Sequence, residues 1–218
     1  MIHYFVLEGL IGAGKSTLIN TLRERLSMIY NKPVIYLEEN IENWIKFKEG
    51  DKNIIELFYT DKKRYGFEFQ LIILNGMLEQ ISEIKGCYDD IILISERSLR
   101  TSQNVFQQLL FDEGNLTAIQ KNILENLYDK LCLYQHGIIY LDVDIETCLE
   151  RINKRKRHGE SAITFDYLEK LKKQYTLYLC QEKNMLSIYG NSYKVIPYIE
   201  SFIKHSVESK ELHLKLYH

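Results

Sequence analysis

The stretch YFVLEGLIGAGKSTLINTL, residues 4–22, decides the fold of this chain, because it joins an apolar segment to a helical one through a glycine-rich turn. Gly9, Gly14, Lys15 and Ser16 fit the spacing G-x-x-x-x-G-K-[ST] of a phosphate-binding loop. Glycines let the backbone curve around an anion with its N–H groups pointing inward, and the following helix directs its positive end to the same place. The pattern therefore predicts a site for a nucleoside triphosphate.

The segments on either side of this turn have the structure that such a loop requires. HYFVLE (residues 3–8) is a strand candidate, and KSTLINTLRERL (residues 15–26) repeats leucine at helical spacing. Within the loop, Lys15 would reach the terminal phosphates and Ser16 would ligate the magnesium ion between them. A purely structural glycine-rich turn is the alternative, and it fits this context less well.

Composition limits the class of protein. The chain has 218 residues, of which 45% are hydrophobic and 27% charged, as is ordinary for one globular α/β domain spanning residues 1–218. A net charge of −2 gives no general attraction to nucleic acid or to a membrane, and no apolar run reaches membrane-spanning length. The N-terminus lacks the pattern of a signal peptide. Widely spaced cysteines predict free thiols in a reducing, cytoplasmic setting: Cys87, Cys132, Cys148 and Cys180.

Apolar segments of strand length alternate with segments of helical periodicity along the chain. The predicted strands cover residues 4–8, 33–38, 90–95, 137–143 and 193–198. This alternation predicts a five-stranded parallel sheet flanked by helices, a P-loop NTPase-like α/β fold. Ligands of such sheets bind at the carboxyl ends of the strands, so the residues that follow each strand are the candidates for chemistry.

Charged residues follow the second and third predicted strands. Glu38 and Glu39 are neighbours that would point to opposite sides, and a carboxylate here could accept a proton from an attacking hydroxyl. An acidic helix N-terminus is the alternative. Glu96 and Arg97 leave the third strand together, and they would face Mg²⁺ and phosphate respectively or form a structural ion pair.

Two longer segments have more than one interpretation. Residues 154–157 are four consecutive cations, with Arg151 one helical turn before Arg155. They could form a solvated face or a localisation patch, or a flexible lid over the phosphates covering about residues 151–163. The segment YGFEFQLIILNGMLEQISEI (residues 65–84) is apolar around most of its circumference, which predicts either a centrally buried helix or one that also forms a subunit interface.

In their order along the chain, these motifs resemble those of the deoxynucleoside kinase family, which comprises the thymidine, deoxycytidine, deoxyguanosine and multisubstrate deoxynucleoside kinases of the non-herpesvirus type. The resemblance covers about residues 3–180. Glu39 with Trp44 five residues later resembles the family's E-P-V-x-x-W, although Asn40 stands where proline is usual. Further matches are LFYTDKKRYGFEFQ (57–70), ERS (96–98), and ERINKRKRHGES followed by YLEKLKKQY (150–161 and 167–175).

The resemblance implies an ATP-dependent transfer of the γ-phosphoryl group to the 5′-hydroxyl of a deoxynucleoside, with Mg²⁺ as the cofactor. Glu39 would be the general base, Arg97 would steady Glu39 and the transferring group, and Arg155, Arg157 and Lys15 would complete the catalytic set. The implied ATP-binding residues are Gly9, Gly12, Ala13, Gly14, Lys15, Ser16, Thr17, Arg151 and Arg155. The implied magnesium ligands are Ser16 and Glu96.

The same resemblance implies a nucleoside site. Tyr59 and Glu160 would bind the sugar 3′-hydroxyl, Gln70 would hydrogen-bond the base through its amide, and Phe106 would stack on the base. The implied substrate-binding residues are Glu39, Trp44, Tyr59, Phe69, Gln70, Met77, Arg97, Ser102, Phe106 and Glu160. An amide, with one donating and one accepting group, and aromatic faces also suit a nucleobase on chemical grounds. Core packing is the alternative for the apolar members, and a solvated helix face is the alternative for Tyr59 and Gln70.

The sequence departs from the family pattern where substrate preference is set. After ERS the family commonly continues into Ser-Asp-Arg-Tyr or Ser-Ala-Arg-Tyr, whereas this chain has LRTSQNVF (residues 99–106), which places Ser102 and Gln103 at the two variable positions. Together with Met77, this resembles the thymidine-accepting branch, so we expect a preference for pyrimidines including thymidine. The family also implies a homodimer packed through helices such as residues 65–84, with a deoxynucleoside and ATP as partners and neither nucleic acid nor a membrane.

Two other functions stay open at this point. A nucleoside monophosphate kinase such as thymidylate kinase shares the phosphate loop and a lid, but Glu39 would repel the second phosphate that it must bind. A non-catalytic regulatory module would use ATP as a switch and has no need of a base aimed at an acceptor. Phosphorylation of thymidine and of thymidine monophosphate, measured in parallel, distinguishes these classes.

Overall fold

The computed structural model describes residues 1–157, 159–189 and 193–216. Its strands, in chain order, are β1 (Ile2–Gly9), β2 (Met28–Ile29), β3 (Lys32–Leu37), β4 (Lys48–Glu49), β5 (Lys52–Asn53), β6 (Ile91–Glu96), β7 (Gln135–Asp142) and β8 (Met185–Tyr189). Six of them form one sheet in the order β2-β3-β6-β1-β7-β8, and β4 pairs with β5 in a separate hairpin.

Helices connect these strands and cover the sheet. They are α1 (Lys15–Arg25), α2 (Ile41–Trp44), α3 (Ile54–Thr60), α4 (Lys62–Cys87), α5 (Leu99–Thr101), α6 (Gln108–Asp112), α7 (Ala118–Leu131), α8 (Ile145–Arg155), α9 (Phe165–Leu179) and α10 (Ile196–Leu216). A π-helical segment, Ser102–Gln107, joins α5 to α6, and 3₁₀ turns cover Glu160–Ala162 and Tyr193–Val195. Among the described ranges, no helix has both the length and the apolar character that a bilayer crossing requires.

The sheet confirms the predicted P-loop NTPase-like α/β fold. β3, β6, β1, β7 and β8 run parallel, so the sheet has five parallel strands as predicted, four of them at the predicted positions. The sixth strand, β2, is a two-residue antiparallel addition at the edge beside β3. Because the five strands are parallel, the ends of β1, β3 and β6 lie along one edge of the sheet, which is where a ligand of such a sheet binds.

One predicted strand is wrong. Residues 193–198 do not pair with the sheet, because Tyr193–Val195 form a 3₁₀ turn and α10 begins at Ile196. Pro197 lies in the first turn of α10, where its missing N–H costs no hydrogen bond and its fixed φ favours the helix. The fifth parallel strand is instead β8, which pairs with β7 through partners such as Ile138 and Met185.

The core explains why the central strands are apolar along their whole length. Phe5, Val6 and Leu7 of β1 are completely buried, and every residue of β6 is buried. A parallel strand covered by helices on both faces has no solvent side, so it needs no polar alternation. A charged residue on such a strand therefore calls for a specific explanation, and β1 carries one, Glu8.

Candidate active site

The phosphate loop connects β1 to α1 through backbone conformations that favour glycine. Gly12 has φ 85° and Gly14, which precedes α1, has φ 99°. A Cβ atom added at Gly12 would collide with the carbonyl group of Cys148 in α8. Position 12 therefore excludes other residues twice, through its backbone angle and through the close approach of α8.

Lys15 begins α1 with its amine turned back over the loop. Its Nζ donates to the carbonyl oxygens of Leu10 at 2.9 Å and Gly9 at 3.2 Å, and the side chain is almost completely buried. Burial lowers the pKa of Lys15 to about 8, with the Arg97 charge acting in the same direction. An amine held among loop carbonyls at the start of a helix is placed to meet an anion bound by the loop.

Ser16 and Glu96 bring two oxygen ligands together beside the loop. The hydroxyl of Ser16 donates to Oε2 of Glu96 at 2.9 Å, and Lys15 Nζ lies 3.8 Å from Oε1. Burial, reinforced by the charge of Glu39, raises the pKa of Glu96. A hydroxyl and a carboxylate suit Mg²⁺, and the described residues contain no group of three or more His, Cys, Asp or Glu that could hold a metal ion alone. The pair therefore fits an ion that takes its other ligands from phosphates and water.

Arg97 occupies the centre of the site. Its Nε donates to Oε1 of Glu39 at 2.6 Å, its Nη1 donates to the Gly9 carbonyl at 3.3 Å, and its guanidinium lies 4.6 Å from the centre of the Phe106 ring. Burial opposes ionisation of Glu39, but the charges of Arg97 and Lys15 outweigh it, so its pKa lies below the usual value. Glu39 is therefore a carboxylate at neutral pH, held by Arg97 next to the loop.

The neighbouring glutamates point to opposite sides, as the sequence predicts. Glu38 pairs with Arg23 at 2.7 Å on an exposed surface, whereas Glu39 turns inward to Arg97. Asn40, which replaces the proline of the family pattern, caps α2 by accepting from the backbone N–H of Asn43 at 3.3 Å. The departure thus preserves a defined helix start directly after Glu39.

A cleft next to this centre collects the residues expected to bind a nucleoside. It is bounded by α2, α3, α4 and the π-helical segment, and Arg155 and Arg157 border it on the lid side. The expected residues that line it are Glu39, Trp44, Tyr59, Phe69, Gln70, Met77, Arg97, Ser102, Phe106 and Glu160. Five expected ATP-binding residues lie outside this cleft, in the phosphate loop, at the start of α1 or on α8: Gly9, Ala13, Gly14, Thr17 and Arg151.

The part of the cleft formed by α4 holds a fixed amide. Gln70 is buried on α4, and its Oε1 accepts a hydrogen bond from the hydroxyl of Tyr128 at 3.2 Å. Tyr128 lies on α7 and is completely buried. No local pattern in the sequence marks Tyr128, because its contact with Gln70 spans 58 positions. Met77 and Ser102 line the same cleft, Met77 from α4 and Ser102 from the start of the π-helical segment.

The predicted lid segment lies against the rest of the site. Arg151 donates to the Ala13 carbonyl at 3.1 Å, and Glu160 accepts two hydrogen bonds from Arg155 at 2.7 and 2.6 Å and one from Arg157 at 3.2 Å. These contacts join α8 to the turn at Glu160–Ala162, and residue 158 of the predicted lid lies outside the described residues. Arg155 and Arg157 are thus gathered at one carboxylate on the edge of the cleft, whereas Arg151 lies on the phosphate loop.

Two further residues belong to this centre and were missed from the sequence. Glu8 of β1 and Tyr175 of α9 are both completely buried, and the Tyr175 hydroxyl donates to Oε2 of Glu8 at 3.1 Å. Arg97 Nη1 in turn donates to the Tyr175 hydroxyl. A lone glutamate inside the apolar run YFVLE was the available sign of Glu8, whereas Tyr175 ends the matched segment YLEKLKKQY without any sign there of a role for its hydroxyl.

Comparison with known proteins identifies a family and relatives that this chain resembles in sequence. A family model described as deoxynucleoside kinase matches residues 5–214. A protein of Invertebrate iridescent virus 6 with a kinase name is 32% identical over 78% of this chain and 78% of its own length. Deoxycytidine kinase of Homo sapiens is 28% identical over 76% of this chain and 70% of its own length. Thymidine kinase of Ictalurid herpesvirus 1 (strain Auburn) is 29% identical over 83% and 76%, respectively.

Proposed function

The chain belongs to the deoxynucleoside kinase family, a family of phosphotransferases that act on a nucleoside hydroxyl, and on that premise we propose that it transfers the γ-phosphoryl group of ATP to the 5′-hydroxyl of a deoxynucleoside, with thymidine preferred. The observation that carries the proposal is the Glu39 carboxylate, held by Arg97 at 2.6 Å between the phosphate loop and the cleft. A base in that position faces both substrates at once.

The chemistry follows from the protonation states of the central groups. Ionised Glu39 accepts the proton of the 5′-hydroxyl as the oxygen attacks the γ-phosphorus, while Arg97 and Lys15 offset the negative charge of the transferring group. Mg²⁺, held by Ser16 and Glu96, would neutralise charge on the phosphates of ATP. No covalent enzyme intermediate is needed, so positioning and charge supply the catalysis.

The lid arginines Arg155 and Arg157 would exchange their present partner, Glu160, for the phosphates of ATP. Arg155 and Arg157 both bind Glu160, which is buried at the edge of the cleft. With substrates bound, Glu160 and Tyr59 would take the sugar 3′-hydroxyl, and the arginines would turn to the phosphates. Arg151, already on the loop carbonyls, keeps α8 in place during this exchange.

Base selection depends on side chains from α4 and the π-helical segment. Gln70 would pair with the base edge through its amide, and Phe106 would stack on the base, next to the pocket walls formed by Trp44 and Phe69. Met77 and Ser102 offer a flexible apolar group and a small polar one, which leaves room for the 5-methyl group of thymine. The relatives carry names of both deoxycytidine and thymidine kinases, so the preference rests on this pocket.

We extend the proposal to the oligomeric state and the cellular compartment. Residues 1–218 would act as one domain and pair as a homodimer through α4 and its neighbour α7, where Ile119 and Ile123 are 73% and 45% exposed. Isolated apolar side chains are common on surfaces, but a pair one helical turn apart beside an apolar helix favours an interface. Free thiols at all four cysteines favour a reducing cytoplasm. Sedimentation equilibrium tests the dimer.

The experiment that tests this function is steady-state ATP-dependent phosphorylation of thymidine, deoxycytidine, deoxyadenosine and deoxyguanosine, with thymidine monophosphate in parallel. We expect the highest kcat/KM with thymidine. Preference for a purine would retain the kinase and contradict the Met77–Ser102 argument. Product from thymidine monophosphate alone would favour a nucleoside monophosphate kinase, and no product from any of the five would favour a non-catalytic nucleotide-binding module.

A further inference from the structure

Glu8 is a buried carboxylate for which the phosphoryl-transfer chemistry above has no use. It lies on β1 directly before the phosphate loop and is completely buried. Two hydroxyl groups donate to it, Tyr175 at Oε2 and Thr101 at Oε1. Burying a carboxylate is costly unless its oxygens are hydrogen-bonded, and donors from two other elements reduce that cost.

The hydrogen bonds continue from Glu8 into the centre of the site. Tyr175 has one hydroxyl proton, which it gives to Glu8, so its oxygen can accept from Arg97 Nη1. Arg97 then donates from Nε to Glu39 at 2.6 Å. Glu8, Tyr175, Arg97 and Glu39 therefore form one connected chain that runs from a buried carboxylate to the candidate base.

Arg97 depends on such a support. Its backbone has φ 63°, a conformation rare for a non-glycine residue, and its long side chain would otherwise retain several rotatable bonds. Nη1 is fixed by the Gly9 carbonyl at 3.3 Å and by the Tyr175 hydroxyl, which lie on different elements. Because the guanidinium is planar, fixing Nη1 also fixes the direction in which the Nε–H bond points. The Glu39 carboxylate, which accepts from that N–H, is thereby held in place.

We propose that Glu8 and Tyr175 are positioning residues for phosphoryl transfer, which hold the Arg97 guanidinium and through it the Glu39 carboxylate. This inference rests on the proposed function. Both residues are completely buried and neither lines the cleft, so their loss should lower kcat and leave the KM values for ATP and thymidine nearly unchanged. A purely structural pair would instead lower stability without a selective effect on kcat.

The test compares two tyrosines of α9 that each lose one oxygen atom. Tyr175→Phe removes the hydroxyl between Glu8 and Arg97, whereas Tyr178→Phe removes one that donates to Gln135 Oε1 at 3.1 Å. Both rings are buried, so packing is preserved in each variant. We expect Tyr175→Phe to lower kcat by about 10- to 100-fold, the scale of a small misplacement of catalytic groups, with both KM values within about twofold of wild type. Tyr178→Phe should keep the wild-type kcat.

Glu8→Gln provides a second variant and a coupling measurement. The amide oxygen that it introduces can still accept from Thr101, but the NH₂ group then faces the Tyr175 hydroxyl. That hydroxyl must accept from the amide as well as from Arg97, which weakens its hold on the guanidinium. We expect a loss of kcat similar to that of Tyr175→Phe. The double variant should lose no more than either single variant, because both act through Arg97. Fully multiplicative losses would contradict the chain.

Two outcomes overturn the inference while the proposed function stands. One is a Tyr175→Phe variant with wild-type kcat, and the other is an equal loss of kcat in Tyr178→Phe. If wild-type protein phosphorylates no deoxynucleoside, the proposed function fails. The hydrogen exchange of the Arg97 Nε–H group, followed by ¹⁵N NMR, then tests the positioning role without an activity assay. Faster hydrogen exchange of that group in Tyr175→Phe than in Tyr178→Phe supports the positioning role, and equal protection contradicts it.

Discussion

Replacing Glu39 by glutamine isolates the charge of the candidate base from its shape. The amide oxygen of the variant can still accept from Arg97 Nε, so the 2.6 Å contact and the side-chain volume are kept. What is lost is the ability to take a proton. General-base catalysis typically contributes roughly 10²- to 10⁴-fold, which corresponds to about 3–5 kcal/mol of activation free energy. We expect the kcat of Glu39→Gln to fall by a factor within that range.

The binding of ATP should strengthen or stay the same. Lys15 and Arg97 both feel the negative charge of Glu39, so removing it leaves these cations with more attraction for a triphosphate. We therefore expect an ATP dissociation constant equal to or lower than that of wild type, measured by calorimetry. Coupled detection of ADP at saturating thymidine gives kcat for the same preparation.

The neighbouring Glu38 supplies the matched control. Glu38→Gln makes the same chemical change one residue away, where the carboxylate forms only an exposed pair with Arg23, and such pairs contribute little. Its kcat should stay within about twofold of wild type, because the Glu38 carboxylate is held by Arg23 of α1 and not by Arg97 beside the phosphate loop, so it is not placed to accept the 5′-hydroxyl proton. A Glu39→Gln variant that retains more than about a tenth of wild-type kcat would refute the assignment of the base, since general-base losses begin at roughly 10²-fold.

Three further predictions concern the loop, the base pocket and the buried carboxylate. Gly12→Ala should destabilise the protein by more than the about 1–2 kcal/mol that a left-handed backbone costs, because its methyl group would collide with an α8 carbonyl. Gly50 also has a positive φ, but a methyl group there would meet no atom, so Gly50→Ala should cost only about 1–2 kcal/mol. Urea unfolding measures both variants. Tyr128→Phe leaves Gln70 without its fixed donor and should raise KM for thymidine by roughly 2- to 10-fold with KM for ATP unchanged. Burial raises the pKa of Glu8 from its ordinary 4.5 to about 7, so the folded state binds the proton more tightly than the unfolded state does. The free energy of unfolding of wild type relative to Glu8→Gln should therefore fall as the pH rises from 4.5 to about 7. A difference that does not change with pH in urea titrations would contradict this prediction.

The features that the sequence predicts well are those that short segments determine. The phosphate loop is a contiguous motif, and the chemistry at the ends of β3 and β6 follows once the sheet is parallel, because parallel strands end along one edge. Glu39 and Arg97 meet as expected although 58 positions separate them. In a parallel sheet, residues that follow different strands can therefore be predicted to lie close together even when they are far apart in the sequence.

What the sequence does not predict depends on tertiary contacts. Residues 193–198 are as apolar as β8, and only pairing with β7 decides which segment joins the sheet. The hydroxyl of Tyr175 reaches Glu8 across 167 positions, and no periodic pattern marks such a contact. The π-helical segment at Ser102–Gln107 is likewise invisible to a 3.6-residue period, although it supplies Ser102 to the cleft.

The positive φ of Arg97 has a consequence for how mutations at this position should be interpreted. The backbone conformation is maintained by Arg97 N–H donating to the Leu7 carbonyl at 3.0 Å and by the Ser95 hydroxyl donating to the Arg97 carbonyl at 2.5 Å. Alanine here would lose the charge and retain the strain of about 1–2 kcal/mol, whereas glycine would lose the charge and relieve the strain. Measuring the free energy of unfolding and kcat of both truncations thus separates the cost of the strained backbone from the contribution of the guanidinium charge.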